Sequence, residues 1–301
     1  MNSIERIFEY VAQKDITIIK NAPMCEYTSF KIGGPAELMI IPENKKQAKE
    51  AFVFCTSEGV APFILGNGSN LLVSDNGIKG VVLHTGKMNN VVLLDETTVE
   101  CDCGVGLARL CNFALDNSLS GLEFAFGIPG SVGGAAFMNA GAYGGEMKDV
   151  ILSCEHVTPK GEAQVLKSNE LKFGYRHSAY SENGFLITSI RIGLTKGDKS
   201  QIKSRMQDII ERRRSKQPLE YPSAGSVFKR PEGHFAGALV EQCGFKGKCI
   251  GGAMLSEKHA GFIVNKGGAT CDDVLNLIDT IRETVLKEYG VELEREIKLI
   301  K

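Results

Sequence analysis

Between Phe124 and Gly145 the chain carries no charge, yet it holds seven glycines, Pro129 and Asn139. The whole stretch, Gly121 to Glu146, reads GLEFAFGIPGSVGGAAFMNAGAYGGE. Its length suggests a membrane span, but a span needs a continuous apolar helix. The glycines, Pro129 and Asn139 are expected to break up any helix here. A core strand is also disfavoured, because glycine packs nothing and weakens a strand. Such a run is suited to bringing bare backbone N–H groups close to something large and anionic, since consecutive N–H groups in tight turns make concave anion sites. A buried turn cluster between strands is the plainer alternative.

A second stretch of the same kind lies upstream. Phe63-Ile64-Leu65 reads as a buried strand, Gly66-Asn67-Gly68-Ser69-Asn70 as a loop, and Leu71-Leu72-Val73 as another strand. This is not the dinucleotide fingerprint of a Rossmann fold: the third glycine position is Leu71, and no helix pattern follows. Gly104-x-Gly106 fails likewise, with Arg109 in third place. A hairpin turn would also explain the loop. Two cradles in one chain point to a ligand with a long polyanionic middle, such as a dinucleotide.

The 301 residues allow two or three domains. A net charge of −1 gives no sign of nucleic acid or a membrane surface as partner. Nine scattered cysteines without a C-x-x-C pair favour free, mostly core thiols and a reducing compartment. The start, MNSIERIFEY, lacks an apolar signal region, so the cytoplasm is the expected location. The five histidines lie apart with no H-E-x-x-H, so no catalytic metal is expected.

Taken in order, residues 3–14 have helical spacing, a loop with Pro23 follows, and Ala36–Ile41 reads as a strand. A helix opened by Pro42 and Glu43 ends at Gly59. Short strands are expected at Val81–His84, Val91–Leu94 and Thr97–Cys103, then a helix at 107–119. Past the glycine run, strands are expected around Val150–Thr158, Ala163–Leu166 and Phe185–Leu194. Residues 195–200 read as a linker. Ile202, Met206, Ile209 and Ile210 mark a helix that ends in Glu211-Arg212-Arg213-Arg214. The final helix starts at a Thr270/Asp273 capping box. Its stripe is Val274, Leu277, Ile278, Ile281, Val285 and Tyr289, and Gly290 ends it. Val291–Ile300 alternates as a strand. The domain boundaries expected are 1–79, 80–196 and 197–301.

Three segments carry polar groups that a plain fold does not need: Phe173-Gly174-Tyr175-Arg176-His177-Ser178, the Pro222–Pro231 stretch in which Gly225 and Ser226 suggest a tight turn, and Glu296. Together with LGNGSNLLV, the long glycine run, QPLEYPSAGSVFKRPEGHFAG, KHAGFIVN and VELEREIKLI, they resemble the UDP-N-acetylenolpyruvoylglucosamine reductase family, from about Tyr27 to Ile300. The chain lacks room for the substrate-capping insertion of one branch, so it is similar to the shorter, second type.

The resemblance implies an α+β fold: two FAD-binding subdomains of the vanillyl-alcohol-oxidase/p-cresol-methylhydroxylase type, and a C-terminal substrate-binding domain. It implies FAD held without a covalent bond by Gly66, Asn67, Gly68, Ser69, Asn70, Gly127, Ile128, Pro129, Gly130, Ser131, Gly133 and Gly134, with Asn139, Gly141, Ala142 and Tyr143 continuing the pocket. It implies NADPH as co-substrate and reduction of UDP-N-acetylglucosamine enolpyruvate to UDP-N-acetylmuramate, for peptidoglycan and hence cell-wall synthesis, cell shape and division. By motif position Arg176 would pair with the substrate carboxylate, Glu296 would stabilise its enolic form, and Ser226 would protonate carbon. Tyr175, Lys229, Arg230 and Arg213 would meet the substrate. The resemblance implies small-molecule partners only, and a monomer is expected. A flavin oxidase of the same fold is the alternative enzyme, and a non-catalytic nucleotide-binding protein the alternative of another class.

Overall fold

The computed structural model describes residues 2–301. The chain forms two compact units. One comprises the chain up to Lys20, Leu38–Asn67 and Gly80–Glu211; the other comprises Asn21–Glu37, Gly68–Lys79 and Arg212–Lys301. The units do not follow the linear boundaries expected from the sequence, because two internal segments belong with the C-terminal third.

The first unit begins with helix Ser3–Ala12, where Asn2 and Glu5 form a capping box that satisfies two orphan N–H groups. Ile7 and Val11 are its buried face. The next segment departs from expectation. Thr17–Pro23 is a strand, not a loop. Its residues are mostly exposed, with no apolar alternation to reveal it, and Pro23 stands only at its end. A four-stranded sheet runs in the order Thr17–Pro23, Pro35–Ile41, Ile78–His84, Phe63–Leu65. Helix Lys45–Ser57, capped by the side chain of Asn44, supplies buried Ala48, Ala51, Phe52 and Cys55.

A five-stranded antiparallel sheet follows, ordered Ala163–Lys167, Ile151–Val157, Leu186–Gly193, Thr98–Asp102, Val91–Leu93. Its central strand is buried on both faces from Leu186 to Ile190, because helices Lys45–Ser57 and Val132–Met138 both pack on it. Helix Leu107–Asp116 is followed by the short strand Leu119–Ser120. The expected linker does not exist: Thr195–Lys196 pairs with Leu119–Ser120, and a helix runs from Lys199 to Lys216.

The glycine run also corrects its reading. It contains a helix, Val132–Met138, whose N-cap Ser131 accepts a hydrogen bond from Gly134 N–H. The helix survives because only Gly133 and Gly134 fall inside it, both in its first turn. Gly133 is there for contact: a Cβ would lie 2.8 Å from Cys103 Cβ and 2.9 Å from its carbonyl. All nine cysteines are free, and six are buried.

In the second unit a four-stranded antiparallel sheet runs Ser223–Ser226, Phe262–Asn265, Ala253–Leu255, Cys249–Ile250. Helix Cys271–Tyr289 packs on its last two strands and on helix Ala236–Gln242. The Thr270/Asp273 capping box is present, and Gly290 takes the left-handed C-cap at φ 67°. Tyr289 lies off the expected stripe and is exposed. Of the expected strand Val291–Ile300, only Lys298–Ile300 is regular, pairing in parallel with Leu71–Val73. Before it, Leu293 and Ile297 are buried in alternation, but pairing is limited to a bridge at Arg295. The partners also exclude a hairpin at Gly66–Asn70: Phe63–Leu65 pairs with Val82–His84, and Leu71–Val73 with Lys298–Ile300.

Candidate active site

In the first unit the two glycine loops meet. Asn67 Nδ2 donates to Pro129 O at 3.2 Å. A Cβ on Gly66 would collide with Ser131 Oγ. The 127–134 loop is bolted behind by Leu107 N–H to Gly130 O (3.0 Å), Val132 N–H to Val105 O (2.7 Å) and Gly133 N–H to Cys103 O (2.7 Å). Among the described residues, the N–H groups of Asn67, Gly127 and Gly130 donate to no acceptor within the protein. The loops are therefore uncharged, glycine-rich and supplied with unspent donors. That is the donor set a dinucleotide diphosphate needs, so the residues present fit FAD. Ile128 packs against the core beneath the loop.

The run continues as a two-stranded ribbon in which Gly141–Ala142 pairs with Gly145–Glu146. Tyr143 and Gly144 form its turn at φ 51° and 88°, as a type I′ turn requires. Tyr143 is exposed. Asn139, in the left-handed region at φ 43°, is buried. Its Nδ2 donates to Glu146 Oε2 (2.9 Å) and to Gly174 O (3.0 Å), and its Oδ1 accepts from Lys148 N–H (2.9 Å). Gly174 and His177 exchange backbone hydrogen bonds at 3.0 and 3.3 Å, with Tyr175 and Arg176 at the tip of the turn. Arg176 has φ 55° and is half-buried, whereas Tyr175 is exposed. The Glu146 carboxyl is held below the usual range, first by its hydrogen bond with Lys148, and also by Asn139 and the charge of Arg176.

In the second unit the Gly225–Ser226 turn proves to be a bulge. Ser223 pairs with Val264 and Ser226 with Phe262, with a register shift between them and Gly225 at φ 80°. A left-handed glycine is what such a bulge requires. Ser226 is left half-buried. On the opposite edge, Glu296 N–H donates to Val227 O (2.7 Å), Lys229 N–H to Glu294 O (2.9 Å), and Phe228 bridges Arg295. Ser226 and Glu296 thus sit on neighbouring extended segments. Asn70 is tied to the Glu296 segment: its Nδ2 donates to Glu296 O (3.3 Å), and its own carbonyl accepts from Lys298 N–H (2.9 Å). Ser69 is half-buried, and Gly68 accepts from Ser29 N–H.

Lys229 pairs with Glu294. The Arg230 guanidinium lies 4.0 Å from the Phe235 ring centroid. Arg213 is buried near the end of its helix, where its carbonyl accepts from Gln217 N–H. Sequence reading missed Lys298, which alternation assigned to the outer face. Burial, then the charge of Lys229, pushes its ammonium down. Lys229 is itself neutralised by Glu294, and the local signal for Lys298 was its spacing of two from Glu296. Among the described residues, no group of three or more His, Cys, Asp or Glu could hold a metal, and no helix is long and apolar enough to cross a membrane.

Comparison with known proteins shows the family of the chain. A family model described as the C-terminal domain of UDP-N-acetylenolpyruvoylglucosamine reductase matches residues 217–300. An FAD-binding domain model matches residues 36–167. A UDP-N-acetylenolpyruvoylglucosamine reductase of Syntrophomonas wolfei is 47% identical over 98% of both chains. The crystal structure of the Thermus caldophilus reductase superposes with a TM-score of 0.81 at 35% identity, covering 95% of this chain and 99% of that one. An alkyldihydroxyacetonephosphate synthase, at 15% identity and a TM-score of 0.50, shares the fold over 64% of this chain and 40% of its own. End-to-end identity of this degree, joined to an FAD-binding match over the glycine cradles, makes the chain a member of the UDP-N-acetylenolpyruvoylglucosamine reductase family.

Proposed function

We propose that Arg176, Ser226 and Glu296 carry out in this chain the reaction of its family. That reaction is the FAD-dependent reduction of UDP-N-acetylglucosamine enolpyruvate to UDP-N-acetylmuramate by NADPH, in peptidoglycan precursor synthesis, and the chain is an enzyme of this kind. Bound FAD supplies the hydride carrier between NADPH and the methylene carbon of the enol ether. Gly66–Asn70, Gly127–Gly134 and the Gly141–Tyr143 segment hold that cofactor. By role, residues 1–79 and 80–196 are its two binding subdomains and 197–301 bind the substrate.

Arg176 offers a planar fork to the substrate carboxylate, as bidentate recognition of a carboxylate favours. Hydride addition leaves an enolate-like carboxylate, whose charge needs preorganised partners; Glu296, protonated, donates to it. Ser226 Oγ–H delivers the proton to the neighbouring carbon and is replenished from solvent. A hydroxyl is a weak acid, so it works only beside so basic a centre. Tyr175, Arg213, Lys229 and Arg230 bind the UDP-sugar. The enzyme works as a monomer in the cytoplasm.

The observation that carries this reading is the Glu296 N–H to Val227 O hydrogen bond at 2.7 Å, which fixes Glu296 on the segment beside Ser226. Stopped-flow absorbance tests it. Ser226→Ala should let NADPH reduce the enzyme at near the normal rate, while reoxidation by the enolpyruvyl substrate falls about 10²–10⁴-fold, the usual share of a positioned general acid. Ser226→Cys should recover part of the loss. Equal slowing of both halves would remove Ser226 as the proton donor.

A further inference from the structure

The 174–177 turn is tied down at both ends, and both ties run to the last turn of helix Val132–Met138. Ser178, fully buried, donates through Oγ to Phe137 O at 2.7 Å. Gly174 O accepts from Asn139 Nδ2 at 3.0 Å. A left-handed C-cap needs only a residue that tolerates positive φ, for which glycine serves as well as asparagine. Asn139 does more. It is 1% exposed, both of its amide protons are committed, to Gly174 O and Glu146 Oε2, and its oxygen accepts from Lys148 N–H. With both donors spent inside the protein, the side chain has no proton left to offer a cofactor.

We propose that Asn139 is a positioning residue, a clamp that fixes the Tyr175–Arg176 turn so that the Arg176 guanidinium meets the substrate carboxylate. The inference rests on the role proposed above for Arg176. One amide joins three segments: the helix end, the 141–148 ribbon and the arginine-bearing turn. Glu146 is the second half of the clamp. Its carboxylate accepts from Asn139 and pairs with Lys148 Nζ at 2.7 Å, and the charge of Arg176 helps to keep it ionised. The main chain at Arg176 is thereby anchored through Gly174, while its side chain feels a fixed negative charge. Arg176 itself holds a left-handed conformation at φ 55°, uncommon for a residue with a side chain and kept only where the surroundings impose it.

Asn139→Gly deletes the clamp while keeping the left-handed backbone. In the FAD-loaded enzyme, reoxidation by UDP-N-acetylglucosamine enolpyruvate should fall, by up to about 10²-fold for a misplaced reacting partner. Reduction by NADPH and the flavin absorption spectrum should stay near those of the parent. Amide hydrogen exchange should quicken at residues 174–178 and not across the central sheet. The decisive comparison is with Arg176→Ala: because Asn139 acts through Arg176, adding Asn139→Gly to Arg176→Ala should cost little more. Ser178→Ala, which loosens the other tie, should show the same dependence on Arg176, and it serves if Asn139→Gly folds poorly. Additive losses, equal slowing of both halves, or loss of flavin would overturn the clamp while leaving the Arg176 role standing. An Arg176→Ala enzyme with normal reoxidation would overturn both.

Discussion

Arg230 and His156 show how differently single side chains act here. Arg230 spreads its guanidinium 4.0 Å from the centroid of the Phe235 ring, which is itself 63% exposed. An exposed cation braced on an aromatic face is suited to a diphosphate. Its contact would be made in ground and transition states alike, so Arg230→Ala should raise KM more than it lowers kcat. Steady-state kinetics decide this, and an unchanged KM would put Arg230 outside the substrate site. His156 is a core residue: its ring stacks on Phe185 at 4.7 Å, and Nδ1 meets the Tyr180 hydroxyl at 3.1 Å. Burial pushes its pKa below the ordinary 6.5, as it does for His84 and His259. The unfolded chain therefore takes up protons at 6.5 that the folded chain refuses until lower pH. Stability is full above that point and drains as pH falls from 6.5 through the depressed values. Melts on either side of pH 6.5 should show this loss, and His156→Phe should lessen it; a Tm insensitive to pH there would refute the assignment. His156 was not legible as a residue, and Asn139 was legible only as part of the flavin pocket that the resemblance implies. Burial and partners decide their roles, and those partners lie up to 35 positions away.

At the scale of elements, legibility followed the strength of local signals. Helix Cys271–Tyr289 could be read to the residue because a capping box, an apolar stripe and a C-terminal glycine all agree. The strand Thr17–Pro23 could not, being polar and largely exposed. The helix inside the glycine run was hidden because its composition argues against it, while its packing against Cys103 selects those same glycines. Val291–Ile297 alternates in burial without a regular ladder, so a period of two proved extended backbone but not a strand. The last helix also gives a quantitative expectation. Thr270 accepts from Asp273 N–H at 3.0 Å, and Asp273 in turn accepts from Thr270 N–H and Gly252 N–H. Thr270→Ala removes one side of this box and should destabilise the protein by about 1 kcal/mol, measured by denaturant titration with an unchanged m-value. A loss within error of zero would mean that Asp273 alone holds the helix start.

For the whole molecule, what stayed hidden was the interleaving of the chain. Residues 21–37 and 68–79 belong to the unit built mostly from the C-terminal third, because Leu71–Val73 pairs with Lys298–Ile300. No local pattern announces a partner so distant in sequence. The cofactor class, by contrast, was readable through the family resemblance, because the two glycine loops alone left a turn cluster and a hairpin open. The remaining question at this scale is how the cofactor is retained. Covalent attachment through sulfur needs a reactive thiolate. Burial pushes the thiols of Cys55, Cys103, Cys111 and Cys154 up to about 12, and Cys271 to about 11; Cys101 is raised as well, again by burial first. Only Cys25, Cys243 and Cys249 are not buried, and none of them lies in either glycine loop. FAD should therefore be bound through hydrogen bonds and packing alone. Precipitating the yellow holoprotein in acid should send all of the flavin into the supernatant, and the stripped chain, after refolding, should recover its colour and a higher Tm on adding FAD, since a ligand that binds only the folded state stabilises it. Colour that stays with the precipitate would mean a covalent bond, and peptide mapping of the yellow fragment would then name the residue.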